Sequence, residues 1–275
     1  STDSGFGIIN ADSGFAPGSA FTFNTLDPNT TYFFRVQAKD NAGNTSAFSS
    51  GASTATLAKL VDNSQIAGVF LTSATLNWTA FPTSPSSASA SGYRLEASTA
   101  ANFTGIILSS SASGVALSTL TVASLGPNTT YFFRIATLNW NNLPNYVSAG
   151  STSTIANTVT IISPAFLEVF SSSITANWAA LPPSPSSSTS EGYLLEASST
   201  NFNGTGTIPS SSTPNVALST LTVPGLSPNT TYFFRVGSLN WNSVSNYLSL
   251  GSTSSLANIP GSVDFSAVFV SSAAL

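Results

Sequence analysis

The chain contains no cysteine, no histidine and no methionine, and very little charge. Six Lys and Arg and ten Asp and Glu make up 6% of 275 residues, where a soluble domain ordinarily carries about 25%. Each absence removes a class of chemistry. Without Cys there is no disulfide framework, thiolate nucleophile or Cys-ligated metal. Without His, the commonest general base and metal ligand is gone. The basic residues are scattered and the net charge is −4. Electrostatic binding to nucleic acid or anionic membrane needs clustered Lys and Arg, so neither partner fits.

What fills the chain instead is Ser and Thr, 52 and 34 residues respectively. Low charge with abundant Ser can mark a solvated tail, but the hydrophobic fraction is 41% and the aromatic fraction 11%. That is enough apolar material for packed cores, and the length suits two or three domains of about 100 residues. No apolar run approaches the roughly 18 residues of a membrane span. The chain opens on Ser1 without a basic-then-apolar leader, which reads as a processed chain or a part of something longer.

The chain repeats itself. Pro-Asn-Thr-Thr-Tyr-Phe-Phe-Arg begins at Pro28, Pro127 and Pro228. Asn-Trp recurs at Asn77 and Asn177, Gly-Tyr-x-Leu-Glu-Ala-Ser at Gly92 and Gly192, and Leu-Asn-Trp-Asn at Leu138 and Leu239. Four markers share one period, so the chain is a tandem array. Complete units run over 59–157 and 158–258. Residues 1–58 hold only the second half of a unit, and residues 259–275 only the beginning of another. Two readings fit these ragged ends: a window on a longer repetitive polymer, or half-units of neighbouring chains completing one another by strand complementation.

Within each unit the hydrophobic period is two. Tyr131, Phe133 and Ile135 point one way and Phe132 and Arg134 the other. Ala74 to Trp78 and Tyr93 to Ala97 alternate likewise. About seven short strands separated by Pro, Gly, Asn and Ser turns predict an all-β sandwich in each unit. Trp78, Tyr93 and the run Leu125, Pro127-Asn128-Thr129-Thr130-Tyr131, with Trp178, Tyr193, Leu226 and Tyr232 at matching positions, resemble a fibronectin type III domain. In residues 1–58, Leu26, Pro28, Tyr32 and Asp40 to Ser46 are similar to bacterial members. The resemblance implies seven-stranded, immunoglobulin-like sandwiches in a linear array, with Tyr32, Tyr131 and Tyr232 forming tyrosine corners. It also brings Glu96 beside Arg134 and Glu196 beside Arg235 as cross-strand pairs on an outer sheet face, each worth well under about 1 kcal/mol if exposed.

Trp140 and Trp241, each flanked by Asn, fall in the loop between the sixth and seventh strands. In a fibronectin-like unit that loop lies at the pole facing the preceding repeat, so packing between repeats or chains is expected, with local packing and sugar stacking as alternatives. Phe33, Phe132 and Phe233 are expected to face outward beside an Arg, covered by a neighbouring side chain or buried laterally in a fibre. The Ser/Pro-rich stretches Pro82 to Ser91 and Pro182 to Ser190 read as solvated loops, compatible with O-glycosylation. Asn-x-Ser/Thr triplets begin at Asn29, Asn44, Asn77, Asn102, Asn128, Asn203 and Asn229. With 23 Asn in this composition about seven arise by chance, so the motif alone carries no weight. Asn29, Asn128 and Asn229 are expected in exposed turns and so as the best acceptors for glycosylation.

No catalytic, cofactor-binding or metal-binding constellation emerges. The expectation is a non-enzymatic structural repeat array of an extracellular fibre, sheath or cell-surface stalk, with copies of itself or neighbouring repeats as partners, glycans as further partners, and no membrane insertion. A surface adhesin or carbohydrate-binding module is the alternative, and spacer domains of a secreted carbohydrate-active enzyme a third.

Overall fold

A computed structural model describes residues 1–261, 267–268, 270–271 and 273–274. The chain divides into two compact units, Ser1–Thr154 and Ile155–Leu275.

The first unit opens with a two-stranded ribbon, β1 (Thr31–Phe34) and β2 (Ala52–Ala55). A sandwich follows. Its three-stranded sheet has the order β3-β4-β7, from Gln65–Val69, Ser73–Asn77 and Thr119–Ala123. Its four-stranded sheet has the order β6-β5-β8-β9, from Ile107–Ala112, Gly92–Ser98, Thr130–Leu138 and Pro144–Ser153. The second unit repeats this plan. Strands β10 (Thr160–Val169), β11 (Ser173–Ala179) and β14 (Thr220–Pro224) form one sheet. Strands β13 (Ser210–Thr213), β12 (Tyr193–Ser198), β15 (Thr231–Leu239) and β16 (Ser245–Ser254) form the other. Two short strands, β17 (Ala267–Val268) and β18 (Ala273–Ala274), pair near the end.

The alternation read in the sequence is what fills each core. Leu76, Tyr93, Leu95, Val122, Phe133 and Ile135 are buried between the sheets of the first sandwich, and Ile174, Trp178, Tyr193, Leu195, Val223 and Phe234 in the second. Trp78 packs on Tyr93 with ring centroids 4.8 Å apart, and Trp178 on Tyr193 at 5.3 Å. A buried tyrosine needs a partner for its hydroxyl. Tyr93 accepts from the Phe81 N–H at 3.1 Å and donates to the Val115 carbonyl at 2.8 Å; Tyr193 does the same with Leu181 and Val216 at 2.7 and 2.9 Å. The tyrosine corners are present three times: the hydroxyls of Tyr32, Tyr131 and Tyr232 accept from the N–H groups of Asp27, Gly126 and Ser227 at 3.0, 2.9 and 2.9 Å.

Each β8–β9-type pairing slips once, after Phe133 and after Phe234, where the opposite strand places Gly150 and Gly251 at φ of 93° and 95°. Only glycine adopts that conformation without a steric penalty, which is why a bulge forms there. The slip falls immediately before Arg134 and Arg235, the residues on which the outer face is built.

Candidate functional site: outer sheet face and repeat junction

Glu96 lies directly opposite Arg134 on β5 and β8, and Glu196 opposite Arg235 on β12 and β15. The Arg134 Nε donates to Glu96 Oε2 at 2.8 Å, and the Arg235 Nε to Glu196 Oε2 at 2.7 Å. The pairs are less exposed than a surface salt bridge: the Glu96 side chain is 10% accessible and that of Arg134 27%. Aromatic rings supply the cover. Arg134 is sandwiched between Phe103 at 4.0 Å and Tyr146 at 3.9 Å; Arg235 sits between Phe202 and Tyr247 at the same distances. In residues 1–58, Arg35 lies between Phe6 at 4.3 Å and Phe48 at 3.9 Å. Stacking on two ring faces screens the guanidinium from water while the carboxylate holds its edge, so the pair is worth more than the exposed-pair figure.

Phe6, Phe103 and Phe202 adopt positive φ, 58°, 57° and 57°. A bulky residue in that region is uncommon and strained. Its threefold recurrence under an arginine shows what the strain secures, a ring laid over the guanidinium. Tyr146 adds a polar clamp, its hydroxyl donating to Glu96 Oε1 at 2.5 Å. Burial, reinforced by that bond to a carboxylate, raises its pKa above the usual value. None of these flanking aromatics stood out in the sequence by chemistry. Their signal was the repeat itself, Asn-Phe at 102–103 and 201–202 and Asn-Tyr at 145–146 and 246–247.

Phe33, Phe132 and Phe233 share the outer face with these arginines and are half-buried. Trp140 and Trp241 are 53% and 58% exposed, beside Leu143 at 51% and Val244 at 50%. Within the first unit, the Asn residues that flank Trp140 bond the half-repeat to the sandwich. Asn139 is buried. Its Nδ2 donates to the Ala55 and Thr56 carbonyls at 2.9 and 3.1 Å, while its Oδ1 accepts from the N–H groups of Asn141 and Leu143 and so shapes its own loop. Asn141 Oδ1 accepts from the Ala55 N–H at 2.6 Å. The linker is held too: Asn145 donates to the Ala58 carbonyl at 2.8 Å, Thr137 to that of Lys59 at 2.7 Å, and Ala58 is buried. In the second unit Asn246 holds the Ala156 carbonyl at 2.7 Å, and the Ser238 hydroxyl donates to the Asn157 carbonyl.

The turn asparagines correct one expectation. Asn29 and Asn128 are fully buried, and Asn229 is exposed. All three occupy left-handed backbone, at φ of 45°, 43° and 51°. At Asn29 the amide meets the next repeat instead of solvent, its Nδ2 donating to the Ser86 carbonyl at 3.2 Å in the Ser/Pro-rich loop. That carbonyl belongs to a short 3-10 turn, Ser86–Ala88, whose counterpart is Ser186–Ser188. Composition gave the turn its polarity, but burial there depends on a partner about 57 residues away in sequence, which local reading does not see.

Residues 163–250 match the family model of the fibronectin type III domain. The second sandwich has a fibronectin type III fold, and the first repeats its strand order. A two-domain fibronectin type III segment of chicken tenascin aligns over 71% of this chain and 99% of its own, at 15% identity and a TM-score of 0.39. The FN1–FN3 domains of chicken CNTN1 align over 81% of this chain and 78% of their own, at 16% identity and a TM-score of 0.34. No curated protein matches the chain. Among the described residues, no group of three or more Asp and Glu is placed to hold a metal ion, and no helix is long and apolar enough to cross a membrane.

Proposed function

We propose that the fibronectin type III-like repeats form a non-enzymatic structural array, a run of beads within an extracellular fibre, sheath or cell-surface stalk. Fold by itself does not assign a role; the joint in the first unit carries this reading. There, Asn29, Asn139 and Asn141 bond backbone on the far side of the linker and Asn145 bonds the linker itself, at 2.6–3.2 Å. Side-chain amides spent on a linker's backbone fix the angle between beads, which serves a load-bearing or spacing element. The missing Cys and Met also remove the main targets of oxidation, which suits a durable extracellular material.

Electron microscopy of the native material tests the reading. The expected result is a filament whose axial repeat is one or a few beads of about 35 Å each, from strands that rise about 3.3 Å per residue. A monodisperse, freely tumbling molecule, or one that turns over a substrate, would overturn it. A second reading, a surface adhesin, is favoured by one observation: the exposed indoles of Trp140 and Trp241 beside Leu143 and Val244. It requires glycan or cell binding that is lost when both Trp are changed to Ala.

A further inference from the structure

Seven Asn-x-Ser/Thr triplets are what chance provides in this composition, so the motif cannot select among them. Geometry can. We propose that Asn102 and Asn203 carry N-linked glycans, and that the other five triplets serve the fold. This goes beyond the array reading and rests only on its extracellular placement, since the transfer acts on exported chains; expression in a secreting host tests the sites apart from that placement.

Asn102 lies in the exposed turn between β5 and β6, and its Oδ1 accepts from both the Thr104 N–H at 3.2 Å and the Thr104 hydroxyl at 2.6 Å. Asn203, exposed between β12 and β13, is arranged in the same way with Thr205, at 3.1 and 2.7 Å. The two are not repeat equivalents. Phe103 matches Phe202, so Asn102 matches Asn201, and the triplet has moved two places along the loop. The same side-chain geometry nevertheless re-forms on the same loop of both sandwiches. Among the described residues these side chains bond through Oδ1, and neither Nδ2 donates a hydrogen bond. The hydroxyl on Oδ1 withdraws electron density from the amide and makes an Nδ2 proton easier to remove.

The remaining triplets each fail on an observed contact. Asn29 is buried with its Nδ2 on the Ser86 carbonyl, and Asn128 is buried while the Thr130 hydroxyl pairs with that of Ser153 at 2.7 Å. Asn77 sits in β4 between two partner strands, with its Oδ1 buried. Asn44 donates its Nδ2 to Asp40 Oδ2 at 2.9 Å, and the Ser46 hydroxyl is turned to the Ala47 carbonyl. Asn229 is exposed, but the Thr231 hydroxyl pairs with that of Ser254 at 2.7 Å and does not engage it.

The donor is a lipid-pyrophosphate-linked oligosaccharide, acted on by an oligosaccharide transferase. Asn Nδ2 forms a bond to the anomeric carbon, the bond from that carbon to the pyrophosphate oxygen breaks, and the pyrophosphate leaves with the electron pair. The amide proton passes to a base of the transferase, and no oxidation or reduction occurs.

The test is peptide mapping by mass spectrometry of the chain from its natural source, after enzymatic glycan release in heavy-oxygen water, which converts each modified Asn to a labelled Asp. Label at Asn102 and Asn203 and none at the other five is expected. In a secreting host that N-glycosylates, Asn102→Gln and Thr104→Ala should each remove one glycan mass, the second with Asn102 still in place; circular dichroism confirms that both variants stay folded. Unmodified Asn102 and Asn203 in the native chain, label at Asn29 or Asn128, or a glycan retained in folded Thr104→Ala, overturns the proposal.

Discussion

Residues 1–58 and the two complete sandwiches share half a sequence repeat, and they separate what that half encodes alone from what needs the rest. The half-repeat has its β1–β2 ribbon, its tyrosine corner at Tyr32 and its arginine stack at Arg35. It has no counterpart of the Trp78–Tyr93 or Trp178–Tyr193 pair. Ile8, Phe15, Phe21 and Phe48 are 68%, 52%, 53% and 47% exposed, and a cavity of about 160 Å³ opens beside Phe23, Tyr32 and Phe34. The corner and the stack are therefore local devices of strand and turn, whereas closing the core requires strands contributed from about 100 residues of chain.

The largest effect that sharpens this contrast is Trp178→Ala. Removing the fully buried indole should cost about 3–5 kcal/mol, read as a lower urea midpoint for the second sandwich, while the proteolysis pattern of the half-repeat stays unchanged. Loss of the half-repeat along with the sandwich would break the contrast.

A middle-sized effect separates the charged stacks. Glu96→Gln leaves the half-buried Arg134 without its carboxylate and should cost about 1.5–3 kcal/mol in chemical denaturation. Arg35, exposed and with no carboxylate among its described contacts, should lose only about 0.5–1 kcal/mol as Arg35→Gln. Equal costs would mean that the rings, not the ion pair, hold the stack.

The smallest effect is alkaline. Burial and the bond to Glu96 raise the pKa of Tyr146 in the folded chain above the unfolded value near 10.0. The folded state thus keeps a proton that the unfolded state gives up. The associated stability is complete below about pH 10 and fades as pH rises through the folded pKa. Tyr146→Phe should flatten that decline in a pH series of denaturation midpoints, and Phe48 already stands without a hydroxyl at the matching place on Arg35.

The same contrast marks how much was legible in the sequence. Period-two alternation placed Tyr131, Phe133 and Ile135 in a core, and the resemblance to a fibronectin type III domain put Glu96 beside Arg134, because it makes the strands that carry them neighbours in one sheet, as β5 and β8 are. The rings on Arg134 were not legible, since Phe103 and Tyr146 reach it from a loop and from a strand whose register depends on the bulge at Gly150. Nor was the burial of Asn29, which depends on a loop of the following repeat. Turn chemistry could be read, but what the turn touches could not.

Asparagine amides bridge the joint in the first unit, and the cysteine-free chain allows its rigidity to be measured directly. Ser53→Cys and Ala123→Cys place two spin labels on exposed strand positions either side of the joint in the first unit. Pulsed electron-electron resonance should return one narrow distance distribution, which broadens when Asn139→Ala and Asn141→Ala are added. A distribution already broad in the parent chain, or one left narrow by both substitutions, would contradict the account.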